Sequence, residues 1–337
     1  MNILGIESSC DETSVAVLSD GELKSNIISS QLFHKNYGGV VPELSSRAHL
    51  QIVAPLVKKA LVESQLELKS IDLVAATAGP GLIGALLVGL TYGKSLAYSL
   101  NKPFVPVNHI EGHIYSPYLM PEKPVLPYLC IVVSGGHTLL LIVKSETEII
   151  KLGTTIDDAA GEAFDKVSKM LGLGYPGGPK IQVAAEKGDR MKILFPVANT
   201  KNPYDFSFSG LKTSVLRHLQ NNYGTDYNVP EDDIPDIAAS FQHAVVRAIG
   251  NRVKKALKEY SVNTISLAGG VAANKAIRNE IVKIARGKGL KVVIPDMEYC
   301  GDNAAMIALR GEMVHNSGKK FDFNFTAYPS ISENIFI

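Results

Sequence analysis

Two histidines four residues apart, in His109-Ile110-Glu111-Gly112-His113, carry the sharpest chemical signal in the chain. On a helix, residues at that spacing share a face, so both imidazoles can reach one metal ion. A zinc-protease reading fails on spacing: those enzymes set the general base beside the first histidine, whereas Glu111 lies two residues on and points to the other side. The competing role for the pair is to cap or pack a helix. A metal site needs a third ligand, and the candidate is Asp302 in Tyr299-Cys300-Gly301-Asp302-Asn303. Its competing role is the N-cap of the helix that follows.

Three polar turns offer further chemistry. In Glu7-Ser8-Ser9-Cys10-Asp11-Glu12-Thr13, amides and carboxylates could meet a metal-bound phosphate, although a solvated hairpin turn would look the same. In Ser134-Gly135-Gly136-His137-Thr138, the glycine pair lets the backbone approach an anion without a Cβ in the way. Gly269-Gly270, opening into a helix with Asn274, presents amides and a carboxamide to a ribose or base edge. That Gly269-Gly270 turn has neither GxGxxG nor GxxxxGK, which argues against a Rossmann dinucleotide site and a P-loop there.

The elements around these turns read as α/β, with strand-like runs alternating with helix-period segments. Ile3 to Leu18 splits into strand, polar turn and strand, and Tyr128 to Val143 repeats the arrangement about 125 residues later. This suggests two domains of similar topology facing each other across a cleft. Between the hairpins, Ser45–Glu63 is a helix, Leu73–Thr77 a short strand, and Gly79-Pro80-Gly81 leads into an apolar helix through Leu100 that should be buried. Further on, helix is expected at Ile237–Tyr260, Ala273–Arg286 and Ala305–Val314, and strand at Thr264–Ala268 and Val292–Ile294. The aromatic tail from Lys319 should wrap over the surface.

With 337 residues, 46% of them hydrophobic, the chain suits two compact domains. A formal net charge of +1 supplies no global basic field for nucleic acid, so any RNA contact must use a local patch. Basic residues cluster on two helices, at Arg247, Arg252, Lys254, Lys255 and Lys258 and at Lys275, Arg278, Lys283, Arg286 and Lys288, in the manner of solvated helix faces. No apolar run approaches the roughly 20 residues of a membrane span, and the opening residues carry no secretory pattern, which points to the cytoplasm. Cys10, Cys130 and Cys300 lie 120 and 170 residues apart and read as reduced, buried thiols.

Taken together, these motifs resemble one family. They run in order from about Ile3 to Ala308 and include Ile6 to Thr13, Ala78-Gly79-Pro80-Gly81, Asn108 to His113, Val133 to Thr138, Gly161 to Lys166, Tyr175 to Pro179, Phe206 to Thr213, Gly269 to Asn274 and Cys300 to Asn303. The sequence is identified as a member of the tRNA N6-adenosine threonylcarbamoyltransferases, the TsaD proteins once called glycoproteases. The resemblance implies a duplicated actin-like, sugar-kinase-like (ASKHA) ATPase fold. Its expected division is 1–108 plus 303–330 as the first domain, 109–302 as the second, and 319–337 as an irregular tail. It also implies a reaction: threonylcarbamoyl-AMP donates its threonylcarbamoyl group to N6 of adenosine 37 in tRNAs that read codons beginning with A.

Carried over by position, His109, His113 and Asp302 match the family's metal ligands, for Fe2+ or Zn2+. The adenine nucleotide, threonylcarbamoyl-AMP or ATP, would meet Val132, Val133, Ser134, Gly135, Gly136, Asp165, Gly178 and Asn274. Gln182 stands where many relatives carry an acidic residue that reaches the ribose. The acceptor N6 is a poor nucleophile, so the site must position it and polarise the carbamoyl carbonyl, with Asp11 or Glu12 as the proton acceptor. Implied partners are tRNA, a degenerate TsaB-like paralogue, a small TsaE-like P-loop ATPase and a separate threonylcarbamoyl-AMP synthase, with no membrane. The alternatives are a small-molecule kinase of the same fold and a non-catalytic scaffold; a scaffold should have lost the ligands that are present here.

Overall fold

The computed structural model describes residues 1–330 and divides into two compact units, Met1–Lys123 with Pro295–Ile337, and Pro124–Ile294. The first unit starts with β1 (Asn2–Glu7), β2 (Glu12–Ser19), β3 (Glu22–Ser30), α1 (Pro42–Glu63), β4 (Leu73–Gly79), α2 (Ile83–Ser99), β5 (Phe104–Asn108) and α3 (His109–Tyr115). The second contains β6 (Tyr128–Val133), β7 (Thr138–Val143), β8 (Ile149–Thr154), α4 (Ala160–Met170), α5 (Gly177–Ala185), α6 (Ser209–Tyr223), α7 (Ile234–Glu259), β9 (Thr264–Ala268), α8 (Lys275–Arg286) and β10 (Lys291–Val293). The chain then returns to the first unit as α9 (Met297–Cys300) and α10 (Ala304–Asn316).

The duplication expected from the hairpins is present strand for strand. One sheet runs β3-β2-β1-β4-β5 and the other β8-β7-β6-β9-β10. In each, the first three strands are antiparallel and the last two add in parallel. β1 shows how the first unit is layered, because alternate side chains leave opposite faces of a strand. Ile3 joins Leu73, Val105, Val107, Met306 and Ile307 beneath α10. Leu4 and Ile6 join Val53, Leu56, Val74 and Leu90 beneath α1 and α2. Gly5 lets α10 close on the sheet: a Cβ there would lie 2.5 Å from the Ala304 oxygen and 2.8 Å from the Ala308 Cβ.

Two expectations change. The domain break falls after Lys123 and before Pro295, so 109–123 and 295–302 belong to the first unit rather than the second. The cause is local: Asn108, the last residue of β5, caps α3, and Arg310 of α10 binds Glu111 of α3, which ties the histidine helix to the first sheet. Helix α2 is buried on one face only, through Ala85, Leu86, Gly89, Leu90, Gly93 and Ala97, while Ile83, Leu87 and Tyr98 are exposed. Composition marks that helix as apolar but does not say how many of its faces find a partner. The tail residues 319–330 do lie along the first unit, and 331–337 fall outside the described residues. No helix among the described residues is long and apolar enough to cross a membrane.

Candidate active site

The histidine pair sits on a helix because β5 ends in a capping residue. Asn108 Oδ1 accepts from the amides of Ile110 at 2.8 Å and Glu111 at 3.1 Å, so the helix starts at His109 and both imidazoles fall on one face. Their ring centroids are 4.7 Å apart. Asp302 Oδ1 lies 3.1 Å from His113 Nε2 and 3.5 Å from His109 Nε2. Asp302 does not cap α10; Asn303 does, accepting from the Met306 amide at 3.1 Å, which leaves the Asp302 carboxylate to face the imidazoles.

Glu7, which sequence reasoning did not single out, stands behind this trio. Fully buried, its carboxylate accepts hydrogen bonds from His109 Nδ1 at 3.1 Å and from the Thr77 hydroxyl at 2.6 Å. With Nδ1 turned to Glu7, His109 presents Nε2 toward Asp302, the arrangement by which an outer carboxylate orients a metal-binding histidine. The available signal was a charged residue closing an otherwise apolar strand.

The residues fit a divalent cation. Their three ligand atoms lie within 4.8 Å of one another, and His113 Nδ1 is buried with no hydrogen-bond partner among the described residues. Two imidazoles and a carboxylate form a donor set that suits Zn2+ or Fe2+. Burial works against a charged His109, but the Asp302 and Glu7 carboxylates outweigh it and hold the imidazole up at about 9. Burial likewise opposes the Glu7 charge, and His109 prevails in holding that carboxyl below its ordinary value.

Next to this trio the acidic turn is clamped rather than solvated. The Ser9 carbonyl accepts from the Leu82 amide at 2.8 Å, and the Asp11 carbonyl from the Gln31 amide at 3.0 Å. Two donors converge on the Cys10 carbonyl: Ser45 Oγ at 2.5 Å and His49 Nε2 at 2.9 Å. His49 Nδ1 in turn takes the Thr13 hydroxyl proton at 2.7 Å, so α1 grips the turn at both ends. Burial, reinforced by Asp302 and Asp11, pushes Glu12 up to about 9. It is therefore protonated at neutral pH unless a cation lies nearby. Burial also raises Cys10 well above the ordinary thiol value and raises Cys130, so neither thiol is a ready nucleophile.

In the second unit, Val132 and Val133 end β6, and Ser134 to Gly136 form the turn into β7. The start of α4 packs on that turn: the Gly161 amide reaches the Ser134 carbonyl at 3.3 Å and the Glu162 amide reaches Gly135 at 3.2 Å. Asp165 accepts from the Gly177 amide at 2.6 Å, placing Gly178 in the first turn of α5. Asn274 is the N-cap of α8, accepting from Ala276 at 3.0 Å and Ile277 at 3.1 Å while donating to Gln242 at 2.8 Å. Gln182 accepts from the Lys275 amide at 2.7 Å, joining α5 to the same helix start. A cavity of about 370 Å³, lined by Arg190, Gln242, His243, Asn279 and Lys283 among others, opens beside Gln242.

A family model for TsaD, tRNA N6-adenosine threonylcarbamoyltransferase, matches residues 22–309. The chain belongs to the TsaD family. It is 50% identical to the tRNA N6-adenosine threonylcarbamoyltransferase of Thermosipho africanus, over 98% of this chain and 99% of that one. The protein of the same name from Symbiobacterium thermophilum is 47% identical, over 99% and 97%. Among solved structures the fold is similar to that of HypF from T. kodakarensis, at a TM-score of 0.66 and 17% identity over 94% of this chain and 48% of that one. It is also similar to the activator of 2-hydroxyisocaproyl-CoA dehydratase from Clostridium difficile, at a TM-score of 0.54 and 15% identity over 96% and 100%. The fold is thus the duplicated actin-like ATPase fold, and the chain is a tRNA-modifying transferase that makes threonylcarbamoyladenosine.

Proposed function

We propose that His109, His113 and Asp302 hold one divalent cation, Fe2+ or Zn2+, and that this site serves transfer from threonylcarbamoyl-AMP to N6 of adenosine 37. The observation that carries this reading is the convergence of three ligand atoms within 4.8 Å, with Glu7 orienting His109. Bound there, the ion would supply Lewis acidity toward a donor oxygen. The protein's own residues do the rest. Glu7 and Thr77 hold His109 still, and the clamp on the Cys10 carbonyl presents Asp11 and Glu12 on a rigid turn. One of those carboxylates accepts the N6 proton as the new carbamoyl bond forms and AMP departs; the cation's charge would keep Glu12 ionised for that role.

The second unit would take the nucleotide portion of the donor at Val132 to Gly136, Asp165, Gly178 and Asn274. Asn274 retains donor capacity beyond its Gln242 bond. ATP is the second candidate nucleotide, supported by the bound ADPNP in the Clostridium difficile activator. A degenerate TsaB-like paralogue, a small TsaE-like ATPase and a separate donor synthase complete the partner set, and the setting is cytoplasmic. The test is transfer of labelled threonylcarbamoyl from pre-formed threonylcarbamoyl-AMP to an unmodified tRNA that reads A-initial codons, with the partner subunits present. Label on adenosine 37, lost in an Asp11→Ala, Glu12→Ala double variant, supports the reading; ATP-dependent phosphorylation of a small acceptor instead would favour the kinase alternative.

A further inference from the structure

Between β3 and α1 the chain makes a short 3-10 turn, Leu32–Tyr37, that buries His34 and turns Phe33 and Tyr37 outward. Both ends of this segment are fastened to the acidic turn. Glu12 pairs with Ser30 across the β2–β3 ladder, and the Gln31 amide donates to the Asp11 carbonyl at 3.0 Å. At the far end Ser45, in the first turn of α1, donates from Oγ to the Cys10 carbonyl at 2.5 Å. His34 closes the loop in between: its Nδ1 accepts from the Val41 amide at 3.3 Å, and its Nε2 lies 2.9 Å from Gln31 Oε1. Gln31 Nε2 in turn donates to the Ser45 carbonyl at 3.3 Å. Gly38 and Gly39, at φ +68° and +153°, make the return toward α1.

What this loop holds out is apolar. Leu32 is 65% exposed, Phe33 38% and Tyr37 62%, although the backbone between them is tied down by the bonds just described. Large side chains kept in water by a well-anchored loop mark a contact surface, since they add nothing to the core. The reaction selects the occupant. The adenosine that is modified has to reach Asp11 or Glu12, and the loop is fastened to the turn that carries them. Adenosine 37 belongs to a single-stranded loop of tRNA, and unpaired bases are gripped by stacking on aromatic rings. Stacking also needs no basic field, which a net charge of +1 does not supply. We propose that Phe33 and Tyr37 form a stacking surface for the unpaired tRNA bases around adenosine 37, with His34 holding the loop that presents them. The placement rests on the reading above of Asp11 or Glu12 as the proton acceptor.

The test measures steady-state transfer, with the partner subunits present, for wild type, for Phe33→Ala with Tyr37→Ala, and for Phe33→Trp with Tyr37→Trp. In the alanine variant KM for tRNA is expected to rise about 5- to 150-fold, the worth of one base–aromatic stack, and in the tryptophan variant to stay within about threefold of wild type. KM for threonylcarbamoyl-AMP and the melting temperature should hold in both, because neither ring is part of the core. An unchanged KM for tRNA in the alanine variant would overturn the inference; if that variant also released the partner subunits in size-exclusion chromatography, the surface would be one for protein. The two readings fail separately. A raised KM for tRNA in the alanine variant, beside full turnover by Asp11→Ala with Glu12→Ala, would uphold the stacking surface and refute the proton acceptor.

Discussion

Arg310→Met should be among the most destabilising single changes in the first unit. Arg310 Nε donates to Glu111 Oε2 at 2.7 Å, with the two side chains 2% and 1% exposed, and the guanidinium lies 4.3 Å from the Tyr115 ring centroid. Methionine fills most of the arginine stem but leaves the Glu111 carboxylate buried without that charge. Breaking one side of such a pair costs about 3–5 kcal/mol, and part of that figure is the lost cation–π contact. At roughly 2–4 °C per kcal/mol, the melting temperature should fall by about 6–20 °C. Replacing both partners, in Arg310→Met with Glu111→Leu, removes the orphaned charge and should recover most of the loss. Circular dichroism melts of the three proteins decide the matter. A single variant within about 2 °C of wild type, or a double variant less stable than the single, would refute the reasoning. Because Glu111 lies between the two histidines, the single variant should also weaken metal binding, and the double variant should restore part of it.

Three further outcomes follow from the same geometry. Burial lowers the His49 pKa below its ordinary 6.5, so the unfolded chain binds more protons below that pH; this stabilisation is complete above about pH 6.5 and is lost as pH falls toward the folded value. His49→Leu should therefore flatten stability against pH on that acid limb in denaturant titrations, and by removing one of the two donors to the Cys10 carbonyl it should lower kcat more than it raises KM. Glu7→Gln keeps the shape of the residue but not its charge, and metal titration should show affinity down by about 10–100-fold. Gly5→Ala forces a Cβ into the Ala304 carbonyl and should cost about 1–3 kcal/mol in chemical denaturation.

The duplication could be read in the sequence because each hairpin repeats the same order of apolar run, polar turn and apolar run, a pattern set by local physics. The pairing of His109 with His113 followed from helical spacing, and Asp302 from its motif. What stayed hidden depends on contacts distant in the chain. Glu7 meets His109 across 102 residues, and His49 meets the Cys10 carbonyl across 39, so neither role shows in local periodicity. The competing capping role of Asp302 falls instead to Asn303, one residue on, which satisfies the same helix start. The half-exposed face of α2 was missed because an apolar composition is the same whether or not a partner covers it.

The most direct measurement is transfer by chelator-stripped protein. Labelled threonylcarbamoyl-AMP, unmodified tRNA and partner subunits would be held constant while Fe2+ or Zn2+ is returned to wild type and to the His109→Ala, His113→Ala variant. The expected result is that stripping abolishes labelling of adenosine 37, that one of the two ions restores it in wild type, and that neither restores it in the variant. Full transfer by stripped wild type, or equal rescue of the variant, would contradict the assignment of His109, His113 and Asp302 as the metal site of the reaction.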